Sequence, residues 1–70
     1  RVDFVATQHE GDVYIFAVNL KRTEERVTFA LDVAPRAIEV LDEGRSIQAN
    51  GGSFADAFKP LAVHIYRVRM

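Results

Sequence analysis

The feature that most constrains this chain is an apolar period of two residues that restarts after each turn signal. In "RVTFALDV", residues 26–33, Val27, Phe29, Leu31 and Val33 share one parity, and Arg26, Thr28, Ala30 and Asp32 share the other. Successive side chains of a strand point to opposite faces, so this spelling separates apolar from polar only if the backbone is extended. Shorter alternations of the same kind recur along the chain. "VDFVATQ" (2–8) puts Val2, Phe4 and Ala6 on one face, and "SFADAF" (53–58) puts Phe54 and Phe58 on one face beside Asp56. "VYIFAVNL" (13–20), "AIEVL" (37–41), "SIQA" (46–49) and "AVHIYRV" (62–68) complete a set of seven expected strands.

The punctuation agrees with that count. "HEGD", "DEGR" and "NGG" each carry a glycine able to take positive φ in a tight hairpin. Pro35 ends the third run, because proline cannot donate to a ladder. Ser53 with Asp56 three residues on has the look of a helix cap, but six residues between a glycine pair and Pro60 are too few for a useful helix. The expected fold class is all-β: a small antiparallel β-sandwich with meander or Greek-key connections.

Seventy residues form a single domain, 1–70, and a chain of this size buries only about 60% of its unfolded surface. With no cysteine there is no disulfide framework and no thiolate metal site, so stability must come from the 49% apolar content. His9 and His64 are too few for a histidine-only zinc site, and no cofactor motif is present. Nine basic residues interspersed with ten acidic ones leave a net charge of -1. That balance lacks the basic stripe of a nucleic-acid binder. No run approaches the ~20 apolar residues that span a bilayer. The opening Arg1-Val2-Asp3 has neither an initiator methionine nor a signal-peptide pattern, so the chain is expected to be a piece of a longer protein.

Candidate chemistry is sparse. Asp42 and Glu43 are neighbours in "LDEGR", where a solvated turn accounts for them better than a glycosidase carboxylate pair drawn from separate strands. Glu24 and Glu25 read as a charged hairpin tip, and His9 with Glu10 and Asp12 as a weak metal site or, equally well, a hydrophilic turn. Ser46 and Ser53 flank turns outside any nucleophile elbow, and no glycine run precedes a helix to cradle phosphate. His64 shares a strand face with Ala62, Tyr66 and Val68; without a nucleophile and an orienting group it is expected to be a positional residue, not a general base. No catalytic residue is assigned. Tyr14 and Tyr66 would form a small sugar-stacking platform only if they shared an exposed face.

In "VYIFAVNL" and "AVHIYRV" both faces are apolar, more than a two-layer sandwich needs. Either Tyr14, Phe16 and Val18 or Val13, Ile15 and Ala17 are therefore expected to be covered by something outside the sandwich. Tyr14, Phe16, His64 and Tyr66 are the candidate interdomain or sugar-contact residues.

Taken together, "VYIFAVNL", "RVTFALDV", "IEVLDEGRSI" and "GGSFADAFKPLAVHIYRV" resemble the C-terminal β-sandwich domain of TIM-barrel glycoside hydrolases of the α-L-arabinofuranosidase and β-xylosidase kind. The resemblance rests on Asn19 closing the second run and on Phe54, Asp56, Phe58, Pro60, Val63, His64 and Tyr66 near the C-terminus. It implies a non-catalytic accessory domain, packed on the catalytic barrel of the same parent chain, with the catalytic carboxylates in that barrel. An independent carbohydrate-binding module making weak polysaccharide contacts, and a protein-interaction sandwich unrelated to sugars, are the alternatives.

Overall fold

The computed structural model describes residues 2–70, and within them the chain is all-β. Seven strands run in order: β1 (Val2–His9), β2 (Asp12–Asn19), β3 (Glu25–Ala30), β4 (Ala37–Val40), β5 (Arg45–Ile47), β6 (Ser53–Phe58) and β7 (Val63–Arg69). They form two antiparallel sheets, a five-stranded one in the order β1-β2-β7-β4-β5 and a two-stranded one, β3-β6.

The turns explain the register. Glu10 and Gly11 both have positive φ, 52° and 85°, the backbone of a two-residue type I′ turn, and His9 opposes Asp12 across it. Gly51 alone of its pair is positive, at 61°, as a type II′ turn requires, and Asn50 and Ser53 close that turn with reciprocal backbone bonds. The hairpin expected at "NGG" extends no further, because β5 pairs with β4 and β6 with β3 in different sheets.

Between the sheets lies one core. Ile15, Ala17, Phe29, Ile38, Val40, Phe54, Phe58, Tyr66 and Val68 are all buried. Phe29 stacks on Phe54 with centroids 5.0 Å apart, and both rings pack against Tyr66 at 5.5 and 5.2 Å. The third strand is shorter than its spelling suggests. It ends at Ala30, the Leu31 N–H still bonds to Gly52 O, and Val33 lies beyond the ladder, 55% exposed. Pro35 and the turn to β4 lead the backbone away before Val33 can join the core face.

Candidate functional site

The four residues singled out by the sequence divide between the two faces of the large sheet. In β2, Ile15, Ala17 and Asn19 are buried and face the core, which places Tyr14, Phe16 and Val18 on the outer face. Tyr66 pairs with Ile15 and His64 with Ala17, so both project from β7 towards the inside. Tyr14 and Tyr66 therefore cannot share a platform. With 0% exposure, Tyr66 has no surface to offer a sugar or a neighbouring domain.

His64 leans against its own domain. Its ring packs on Phe58 at 4.5 Å; Nδ1 lies 2.5 Å from Glu43 Oε2 and Nε2 3.1 Å from Ala57 O. Both partners are acceptors, so the ring satisfies both at once only when it carries both protons. Glu43 comes from the turn between β4 and β5, and Ala57 from β6, so His64 joins three segments remote in sequence. The expectation of a merely solvated "LDEGR" turn is thereby corrected for Glu43. The turn places Asp42 at φ 64° and Gly44 at φ 63°, and Glu43 between them reaches His64.

The same cluster continues inward. Arg45 grips Asp56 with two parallel bonds of 3.0 and 2.9 Å, and its Nε donates to Glu43 at 2.9 Å. Tyr66 donates its hydroxyl to Asp56 Oδ2 at 2.7 Å, and the Ala57 N–H bonds Oδ1 at 2.9 Å. Burial pushes the Asp56 carboxyl up, but Arg45, Tyr66 and the Ala57 amide together outweigh it and hold the group below its ordinary 3.8. Glu43 is likewise held below 4.5: burial raises it, and the bonds from Arg45 and His64 more than offset that. With four donors on Asp56 and both ring nitrogens of His64 engaged, every group here is saturated by its neighbours. The cluster acts as a clamp tying β7, β6 and the β4–β5 hairpin. Sequence spacing could not reveal it, because Glu43, Arg45, Asp56 and His64 meet only when the two sheets close.

A second buried polar residue has the same function. Asn19, fully buried, donates Nδ2 to Thr23 O (2.9 Å), Lys59 O (3.1 Å) and Phe58 O (3.4 Å), and its Oδ1 accepts from the Lys21 amide at 3.0 Å. It fastens the β2–β3 loop to the β6–β7 turn. His9, by contrast, stays at an exposed hairpin end near Glu10, while Asp12 turns to Arg67 at 2.9 Å. The three do not converge.

The outer face of the large sheet is open to a partner. Register brings Val5, Phe16 and Ile65 into one row, and Asp3, Val18 and Val63 into the next. Val5 is 67% exposed, Phe16 48% and Val63 58%, around a shallow depression of about 330 Å³. At the other end of the same face Thr7, Tyr14, Arg67 and Glu39 make a polar border, with Arg67 bonded to Asp12. An apolar centre beside a polar rim is the anatomy of a docking patch. Of the two β2 faces that could have been the surplus one, this is the Tyr14, Phe16 and Val18 face.

No protein family, curated protein or solved structure matches the chain.

Proposed function

We propose that this chain is a non-catalytic accessory domain of a glycoside hydrolase, docked through the outer face of its five-stranded sheet onto the catalytic barrel of the same parent protein. The observation that carries the docking is the strip Val5, Phe16, Val18, Val63 and Ile65, apolar on a face the second sheet does not cover. Covering such side chains stabilises by about 25 cal/mol for each Å² removed from water, so a strip of five contributes several kcal/mol to a domain junction. The link to a hydrolase rests on the resemblance carried by Asn19 and by Phe54, Asp56, Phe58, Pro60, Val63, His64 and Tyr66. The clamp and the Asn19 bonds hold Asn19, Asp56, His64 and Tyr66 inside the domain, consistent with a structural task.

The experiment uses the full-length gene product. Phe16→Asp with Val63→Asp is expected to leave the isolated 70-residue chain folded, and to uncouple it from the rest of the parent: one thermal transition becomes two, and proteolysis cuts between the domains. Unchanged single-transition melting would overturn the docking. A parent without activity on aryl arabinofuranosides, aryl xylosides or the corresponding polysaccharides would overturn the hydrolase assignment.

A further inference from the structure

The two sheets differ in width. Five strands spaced about 4.8 Å apart span about 19 Å, whereas two span about 5 Å. Cover is placed off-centre: β6 lies beside β5, with Arg45 and Asp56 joined across them, and β3 reaches only as far as Phe29 touching Phe4 edge-on at 5.7 Å. The inner face of β1 is consequently covered only at its start, where Val2 packs against the core. Phe4 is 57% exposed, Ala6 is exposed as well, and a groove of about 350 Å³ runs between β1 and β3, lined by Phe4, Ala6, Ile15, Val27, Phe29 and Leu31.

The edge of β3 that borders this groove is unpaired. The Leu31 N–H bonds Gly52 O at 2.6 Å, continuing the register in which Ala30 opposes Ser53. Bonded pairs alternate in an antiparallel ladder, so Phe29, Val27 and Glu25 spend their backbone groups on β6. The amides and carbonyls of Arg26, Thr28 and Ala30 then point out along the free edge. Their two-residue spacing matches an extended backbone. Beside them, the Arg26 guanidinium has no carboxylate partner among the described residues.

We propose that β3 receives one further strand from another polypeptide segment, which pairs with Arg26, Thr28 and Ala30 and roofs the inner face of β1. The occupant is an extended peptide, apolar at the alternate positions that enter the groove and bearing a carboxylate beside Arg26. A second copy of β3 does not meet that description. In the one antiparallel self-register that matches all three free residues to one another, Arg26 faces Ala30 and Thr28 faces Thr28; an acid, Asp32, comes opposite Arg26 only where the pairing slides past the end of β3. This site is separate from the outer face, and neither proposal depends on the other.

The test is a titration of the ¹⁵N-labelled 70-residue chain with the peptide Ac-Glu-Val-Thr-Val-Thr-Val-Glu-NH₂, followed by amide hydrogen exchange. Thr28 and Ala30 amides are expected to slow by about tenfold or more at about 1 mM peptide. The same peptide with proline at both threonines is expected to have no effect. Thr28→Pro removes a donor the β3–β6 ladder does not use, so that chain should fold and bind the peptide more weakly. Arg26→Glu should also weaken binding, and a peptide with lysine in place of both glutamates should recover it. The proposal is overturned by unchanged exchange at Thr28 and Ala30, by shifts confined to Phe16 and Val63, or by protection that grows with chain concentration in the absence of peptide, which would mark a second copy as the occupant.

Discussion

Tyr66 donates its hydroxyl to Asp56 Oδ2 over 2.7 Å at the centre of the sandwich, joining the last strand of one sheet to the last strand of the other. Burial and then the adjacent Asp56 charge push the Tyr66 phenol far above its ordinary value, so it remains a donor through the neutral range. Tyr66→Phe keeps the ring contacts with Phe29 and Phe54 and removes only that bond. Hydrogen bonds to charged groups contribute about 1.5–3 kcal/mol, and urea denaturation of the variant should show a loss of that size. A loss below about 0.5 kcal/mol would mean that Arg45 and the Ala57 amide satisfy Asp56 without it.

Acid should weaken the fold through the same cluster. Asp56 and Glu43 both titrate below their ordinary 3.8 and 4.5 when folded. A depressed carboxyl contributes stability that is complete above its unfolded pKa and is lost as pH falls through the folded value. Stability from these groups should therefore hold down to about pH 5 and decline below it. Asp56→Asn, measured by denaturation from about pH 7 to about pH 2.5, should give a less stable protein with a shallower acid slope. An unchanged slope would remove Asp56 from the account.

Asn19 offers a sharper contrast, because its nearest isostere is the wrong residue. Asn19→Asp would aim a carboxylate at the carbonyls of Thr23, Phe58 and Lys59, now bonded by the amide nitrogen. The expected cost at pH 7 is about 3 kcal/mol or more, relieved in part on acidification as the new carboxyl becomes neutral. Asn19→Ala should cost at least about 2 kcal/mol at every pH, since it leaves buried groups unpartnered. Equal losses with no pH dependence for the aspartate would contradict the bonding described.

Leu61 occupies the second central position of the Lys59–Ala62 turn, after Pro60, at φ 61°. A side chain there costs about 1–2 kcal/mol, while glycine brings back about 0.5–1 kcal/mol of backbone entropy. Leu61 is 57% exposed, so little packing is lost. Leu61→Gly should leave thermal stability unchanged or raise it by up to about 1 kcal/mol. A clear decrease would show that the exposed leucine contributes contacts of its own.

The extended segments and their turns were legible because their causes are local; the sheet order, with β7 between β2 and β4 and with β5 and β6 in different sheets, was not. "HEGD" and "NGG" became two-residue turns, and the alternation of residues 53–58 became β6 with Phe54, Asp56 and Phe58 all inward and buried. The clamp was not legible. Glu43 and Arg45 on the β4–β5 hairpin, Asp56 on β6 and His64 on β7 lie on three different segments, and no spacing rule connects a turn carboxylate to a histidine twenty-one residues on.

The sequence by itself determined that these residues form short extended segments, because a two-residue apolar period can bury one face only in a strand. Which face is buried was decided by tertiary structure wherever both are apolar. In "VYIFAVNL" local pattern favours neither side. The pairing of Ile15 with Tyr66, and the arrival of Phe29 and Phe54 over Tyr66, turned Tyr14, Phe16 and Val18 outward. The physical reason is that a strand carries its alternation wherever it goes, but burial belongs to whatever packs against it.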